Sequence, residues 1–257
     1  MLEARPLAPV YPLAGLLRPF SRLPGLLGLG YGVALLPGEG RLLYPYSEEG
    51  ELYRNVDHVY RYRDYERIAD FIPRPGWRVV DAGAYLGVYA LRAARLVGSS
   101  GLVVSLEPNP ITYGFLSANV VLNRLGNVAT LPAALSARSG WGRLHIGESM
   151  VNSSLSRGYV EYMSAPVGEA EVPLVTLGEI AGRLGRVDLV KLDVEGHELE
   201  ALRGGLEGVE RVVVEAHPPL VEAWEVASLL SEAGFDTLTV SGEAEHQAFV
   251  YGWRQHV

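Results

Sequence analysis

The stretch Lys191-Leu192-Asp193-Val194-Glu195-Gly196-His197-Glu198-Leu199-Glu200 sets a cation, several carboxylates and an imidazole side by side. Such a set can move protons: a carboxylate or a near-neutral imidazole accepts a proton from a nucleophile, and a neighbouring cation tunes the carboxylate. Lys191 is the only lysine of the chain, and every other cationic side chain is an arginine. Asp193 is a candidate for holding the amino group of a cofactor or for taking a proton from a hydroxyl. His197 and His217 are candidate bases by their ordinary pKa, and Lys191 and Glu195 complete the catalytic set. Glu215 and His217 end the next apolar run, so they can converge on the same crevice.

A blander account of the same residues is that Lys191 pairs with a carboxylate, Glu195 sits in the first turn of its helix, and Glu198 and Glu200 are solvated. Two histidines with Asp193 and Glu195 could also hold a divalent metal. They show no recognisable ligand spacing, so no metal is assigned.

A second cluster lies earlier. Val79-Val80-Asp81-Ala82-Gly83-Ala84-Tyr85-Leu86-Gly87 follows an apolar run and opens a helix. Gly83 permits a tight turn with close backbone approach to a ligand, and Gly87 permits close packing of helix on strand. A dinucleotide fingerprint needs three glycines, and Asp81 occupies the place of the first. An anion there repels a pyrophosphate but suits the amino and sulfonium groups of S-adenosylmethionine. Glu107, in Leu106-Glu107-Pro108-Asn109-Pro110, can accept hydrogen bonds from both hydroxyls of a ribose. Either acid alone is as well explained as a helix cap or a solvated loop residue. Their order and separation fit one βαβ unit.

These residues need a scaffold that brings strand ends together. From Gly76 onward, apolar strands alternate with helices over short connections, the pattern of a mostly parallel sheet covered on both faces. Strands are expected at 77–80, 101–106, 128–135, 188–192, 210–215, 237–240 and 247–251. Helices are expected at 88–96, from Pro110 toward Asn123, at 177–184, from Glu195 to Arg203 and at 220–232. Between them, 136–168 reads as irregular, with one short strand at 144–146. The spacing of Tyr60, Tyr62, Tyr65, Ile68 and Phe71 predicts a helix over 57–71, ended by Pro73-Arg74-Pro75-Gly76. The expected division is an extension over 1–72 and a catalytic domain over 73–257.

Composition narrows the class. With 48% hydrophobic residues over 257 positions, one large domain can build its core, and no internal repeat is visible. The absence of cysteine excludes disulfides, thiolate metal sites and a cysteine nucleophile, and points to the cytoplasm. Together with the arginine bias and scarce glutamine, it also fits a thermophilic source. A net charge of −8 disfavours nucleic acid as the partner. The longest charge-free apolar stretch near the start, 23–38, is broken by Pro24, Pro37 and several glycines, and reads neither as a membrane span nor as a signal peptide. Residues 1–45, rich in Leu, Pro and Gly, suit a cover over a substrate pocket, a dimerisation arm, a membrane-surface contact, or an extension packed on its own domain.

The blocks Tyr65-Glu66, Asp81 to Tyr89, Glu107-Pro108-Asn109-Pro110, Ala134-Leu135-Ser136 and, most specifically, Lys191 to Glu198 together resemble the FkbM-type methyltransferases. The resemblance runs from about Tyr65 to His217. It implies a Rossmann-like class I methyltransferase fold, with a seven-stranded sheet, a reversed last strand and helices on both faces. It also implies methyl transfer from S-adenosylmethionine to a hydroxyl of a small-molecule, sugar or lipid-linked acceptor. Carried over by position, Asp81, Gly83 and Gly87 would hold the methionine part of the cofactor, with Ala84 and Tyr85 also in the cofactor-binding set. Glu107 would hold the ribose and the backbone at Ala134 and Leu135 the adenine, and Pro108, Asn109 and Asp193 complete the cofactor-binding set. Residues 1–55 lie outside the resemblance. The competing functions are methylation of tRNA or rRNA, with the arginines of the front segment as the contact, and a cofactor-binding scaffold without activity. A nicotinamide oxidoreductase is the remotest.

Overall fold

The computed structural model describes residues 30–36, 40–242 and 247–255. Residues 1–29, on which much of the expectation of a cover or arm falls, lie outside the described residues. Strands β1 (Tyr31–Leu36) and β2 (Gly40–Pro45) pair antiparallel as a hairpin. Helix α1 (Glu49–Val56) follows and runs on through a wide turn over 57–62. Then β3 (Arg78–Ala82), α2 (Val88–Val97), β4 (Leu102–Leu106), α3 (Pro110–Leu122) and β5 (Val128–Leu131) form two βα units. Each stop has a local cause. Gly98 closes α2 at φ 65°, and Asn109 caps α3 by accepting from the Ile111 N–H, with Pro110 in the first turn.

The middle of the chain forms a small second sheet. Strands β6 (Ala134–Leu135), β7 (Gly140–Gly147) and β8 (Pro166–Val175) stand in the order β6-β8-β7, and α4 (Arg157–Met163) packs on β7. The βα rhythm then resumes with α5 (Leu177–Leu184), β9 (Leu189–Leu192), α6 (Glu198–Leu202), β10 (Arg211–Ala216), α7 (Ala223–Glu232), β11 (Asp236–Ser241) and β12 (Ala248–Trp253). A capping box of Thr176 with Glu179 starts α5.

The main sheet has seven strands in the order β11-β12-β10-β9-β3-β4-β5, and only β12 runs against its neighbours. Period-two alternation divides its side chains between two cores. Val79, Val103, Leu189, Val213 and Phe249 face one side, and Val80, Val104, Val190, Val212 and Val250 the other. Leu42, Leu52, Val56, Tyr65 and Phe71, which precede the sheet, are buried in the first core. Each such side chain stabilises the fold by about 1.5–3 kcal/mol, so residues 42–71 are part of the core, not a loose appendage. The hairpin is also pinned to α3: Asn119 accepts from Leu43 N–H at 2.6 Å, and Asn123 accepts from Arg41 N–H at 2.8 Å.

Four expectations about elements are corrected. No helix spans 57–71: the helix begins at Glu49 and ends where Arg63 turns left-handed at φ 54°, and 69–71 form a single tight turn. The tyrosine spacing reflected separate anchors, not one face. The strand expected at 128–135 breaks at Pro132, which cannot donate to a ladder, so its two halves join different sheets. The 136–168 region is not irregular. It carries β7, α4 and the start of β8, which pair with one another instead of following the βα rhythm. Finally, α6 starts at Glu198, because Glu195 at φ 55° and Gly196 at φ 84° hold a left-handed loop after β9.

Candidate active site

The chain passes from β3 outward to β4 and β5 and returns on the other side of β3 to β9 and β10, so the strand order reverses beside β3. Crevices form at the carboxyl ends of strands at such a reversal. Gly83 follows β3, Glu107 follows β4, Asp193 follows β9 and His217 follows β10. All four therefore open on one edge of the sheet.

Gly83 is what lets two of these ends meet. At φ 74°, a Cβ on Gly83 would stand 1.7 Å from the Asp193 carbonyl oxygen, so any side chain would drive the β3 turn off β9. The turn also receives Lys191, whose Nζ donates to the Gly83 carbonyl at 2.7 Å. Lys191 is 3% exposed and lies between Asp81 Oδ1 at 3.4 Å and Asp193 Oδ2 at 3.3 Å. Burial opposes its charge, but Asp193 and Asp81 hold its pKa above the ordinary lysine value. Asp81 is wholly buried beneath the crevice and reaches it through Lys191, not as part of its wall.

Two cavities open at this edge. The inner one is lined by Gly83, Tyr85, Glu107, Pro108, Ala134, Leu135 and His197, with Leu144, Met150 and Ser153 from the second sheet side. The outer one, about 340 Å³, is lined by His58, Tyr65, Tyr159, Tyr162, Glu215, His217 and Gln247 among others. Asn55, Val151, Asp193 and Glu195 border both.

On the inner side, Glu107 is buried and pre-oriented. It accepts from Tyr85 N–H at 2.8 Å, Asn109 N–H at 2.9 Å and Thr112 Oγ1 at 2.9 Å. Burial raises its pKa, against these bonds and the charge of Lys191. Tyr85 turns left-handed at φ 49°, and its hydroxyl donates to the buried Glu48 at 2.6 Å. Asn109 acts as a helix cap and donates to Ser153 at 3.0 Å; neither it, Ala84 nor Gly87 lines the cavity. Gly87 caps α2 and sits against Leu116.

On the outer side, the Tyr65 hydroxyl lies 3.0 Å from Asp193 Oδ2 and 2.8 Å from Glu215 Oε2. A phenol has one proton, so the second contact needs a proton on a carboxyl. Of the two carboxyls, Glu215 is the one that holds a proton more tightly than usual: burial and the charge of Asp193 push its pKa up. Asp193 shifts the other way. Burial pushes it up, but Lys191, His217 and the Tyr65 hydrogen bond outweigh that and hold it below the usual carboxylate value. His217 Nδ1 pairs with Glu198 Oε1 at 2.8 Å, and its Nε2 faces Glu195 Oε2 at 3.4 Å and Asp193 Oδ1 at 3.7 Å. Burial works against a charged ring here, yet Glu195 and Glu198 raise the His217 pKa well above its ordinary value. Tyr159 donates to Glu195.

The structure thus separates the two histidines. His217 stands with Asp193 and Glu195 on the outer side, whereas His197 lies on the inner side with Nε2 3.2 Å from Ser136 Oγ, its pKa lowered by burial. Glu198 is not solvated but wholly buried, bonded to Gly196 N–H and to His217.

The FkbM methyltransferase domain model matches residues 81–237, a span from the first acid of the glycine turn past His217. The chain belongs to the FkbM methyltransferase family. As such it is an S-adenosylmethionine-dependent methyltransferase. It is 31% identical over 181 residues to the hexuronic acid methyltransferase AglP of Haloferax volcanii, covering 68% of this chain and 70% of that protein. It is 30% identical over 190 residues to the methyltransferase sdnD of Sordaria araneosa, covering 62% and 73%. The structure of an FkbM methyltransferase from Methylobacillus flagellatus superposes with a TM-score of 0.48 at 12% identity, over 82% of this chain and 56% of that one.

In this FkbM methyltransferase, several residues at the site stand apart from the strand-end motifs. Tyr65 is visible in sequence only as part of the Tyr65-Glu66 pair. Tyr159 and Glu48 come from segments without motif character, and nothing in their spacing could have placed them here.

Proposed function

We propose that the enzyme transfers a methyl group from S-adenosylmethionine to a hydroxyl of a sugar-type acceptor, with the cofactor in the inner cavity and the acceptor in the outer one. The observation that carries this is the shared border: Asp193 and Glu195 belong to both walls. In-line transfer requires donor and acceptor to meet at one place with the nucleophile's proton already provided for.

The lining of the inner cavity suits the chemistry of the cofactor. Pro108, Ala134 and Leu135 offer apolar walls to an adenine, and Glu107 keeps a lone pair for a ribose hydroxyl beyond its three internal bonds. Gly83 and Tyr85 line the turn, and the Asp193 carboxylate, held below its usual pKa, suits the ammonium and sulfonium charges, whereas burial and Asp193 push the Glu195 pKa up to about 8. When bound, the cofactor supplies the electrophilic methyl and the driving force. Asp193 receives the acceptor's proton, while Tyr65 and Lys191 keep its other oxygen fixed. Asp81 and Lys191 are positioning residues beneath the wall.

The outer cavity supports a polyhydroxylated acceptor. Asn55, Asn152, Gln247 and His58 offer donors and acceptors, and Tyr159 and Tyr162 offer ring faces. AglP, named as a hexuronic acid methyltransferase, agrees with that class.

The test is label transfer from methyl-labelled S-adenosylmethionine to a panel of hexoses and hexuronic acids, free and as glycosides, followed by alkali. An alkali-stable methyl ether is expected. Label released by alkali, as from a carboxyl ester, or label appearing only on tRNA, would sink the hydroxyl reading.

A further inference from the structure

We infer that Asp193, Glu195 and His217 form a binding site for one hard divalent cation, of the Mg2+ or Mn2+ class, between the two cavities. One ligand atom from each of the three lies within 4.8 Å of the others. The inference deepens the proposed function, because it rests on the outer cavity being the acceptor's.

Three observations carry it. The first is spacing. His217 Nε2 stands 3.4 Å from Glu195 Oε2 and 3.7 Å from Asp193 Oδ1, too far for good hydrogen bonds. Two ligand atoms, each about 2.1 Å from one ion and 90–120° apart, stand roughly 3.0–3.6 Å from each other. The imidazole nitrogen is therefore at coordination distance from Glu195 and just beyond it from Asp193, and it donates to no described residue.

The second is the brace behind the imidazole. Glu198, wholly buried, pairs with Nδ1 at 2.8 Å and so fixes the ring with Nε2 aimed between the two carboxylates. A carboxylate on the far nitrogen is the usual outer partner of a metal-bound histidine. Tyr159 and Tyr65 brace Glu195 and Asp193 in the same way.

The third is charge. Asp81, Asp193, Glu195, Glu198 and Glu215 gather around Lys191 and His217, and Lys191 lies on the far side of Asp193, on Oδ2. Oδ1 and the Glu195 carboxylate face the cavities without it. The two carboxylates suit Mg2+ or Mn2+, and the single imidazole favours Mn2+ of the two. The remaining coordination positions would open on the outer cavity, where an acceptor hydroxyl can take one and lose its proton more readily.

The experiment titrates the full-length protein with Mn2+ alone. Binding is read from loss of the free-ion electron paramagnetic resonance signal, and ligation from spin-echo modulation by a coordinated imidazole nitrogen. S-adenosylhomocysteine affinity is measured by calorimetry without metal. One Mn2+ per chain with imidazole modulation is expected in the wild type. His217→Gln should abolish the modulation, and Glu198→Gln should weaken Mn2+ about 10–100-fold, both with S-adenosylhomocysteine affinity unchanged.

No saturable Mn2+, bound Mn2+ without imidazole modulation, or unchanged binding in His217→Gln would overturn the site and leave His217 as the cluster's own cation. Should either variant fail to fold, the wild-type modulation decides alone. Loss of S-adenosylhomocysteine binding by the wild type is a separate failure, that of the cofactor assignment.

Discussion

The inner and outer cavities share Asp193 and Glu195 but are built by different parts of the chain. The inner wall comes from turns at strand ends, where Gly83, Glu107 and Leu135 follow from the parallel sheet itself. The outer wall is assembled from α1, the turn at 57–65, α4, the end of β10 and Gln247 beyond β11. A fold that must always bind the same cofactor can fix the first by topology. The second is recruited from segments whose sequence is free to follow the acceptor.

The shared border is where the comparison is most easily broken. Asp193→Asn keeps the shape but removes the charge that faces Lys191 and the proton acceptor that the mechanism needs. A fall in kcat of about 10²–10⁴ is expected, with S-adenosylhomocysteine still bound. If kcat stayed within tenfold of wild type while the fold held by thermal unfolding, Asp193 would not be the base.

Glu107→Gln sharpens the inner side. The amide cannot accept at both ends, so at least one of the bonds from Tyr85, Asn109 or Thr112 is lost along with the proposed ribose contact. Hydrogen bonds to charged groups contribute about 1.5–3 kcal/mol, which predicts a cofactor KM raised roughly 10–100-fold. The acceptor KM should stay put. A parallel rise in both would mean that the cavities are not divided as described.

The same division explains what could be read from sequence. Asp81, Gly83, Glu107 and Asp193 announce themselves because a parallel sheet repeats one local grammar, apolar strand, polar turn, helix. The mostly parallel sheet with helices on both faces follows from that grammar, and the seven strands with a reversed last one from the family resemblance. Tyr65 and Tyr159 are ordinary residues in their own segments and become site residues only through contacts 128 and 36 positions away. Glu198 misled for a related reason: in a helix it would face solvent, but the left-handed loop at Glu195 and Gly196 shifts the helix start and turns it inward. The second sheet was hidden because β7 and β8 carry exposed, polar and glycine-rich stretches that do not alternate cleanly.

On the outer side, Tyr162 is 62% exposed and lines the cavity rim without holding any catalytic group. Tyr162→Ala should raise the acceptor KM about 3–10-fold, the loss of one aromatic platform of about 0.5–1.5 kcal/mol. The cofactor KM and the thermal midpoint should not move. An unchanged acceptor KM would remove this rim from the acceptor's path.

The smallest effect concerns how the outer wall is held rather than what it binds. His58 Nδ1 pairs with the buried Asp64 at 2.6 Å, and Asp64 also anchors Arg67, while the Asp64 carbonyl accepts from Tyr251 and Arg67 donates to the Ser241 carbonyl, which ties the turn to the sheet. Burial works against the charged ring, but the Asp64 hydrogen bond and the charges of Glu215, Asp64 and Asp193 raise the His58 pKa above its ordinary value near 6.5. A raised histidine contributes stability that is fully present below the unfolded value and fades as pH rises through the folded one. The wild type should therefore lose a modest part of its stability above about pH 6.5 relative to His58→Asn. Urea midpoints of both proteins between pH 5.5 and 8.5 check this. Parallel pH curves would show that folding leaves the His58 pKa unchanged and overturn the charged His58–Asp64 contact as a brace of the turn.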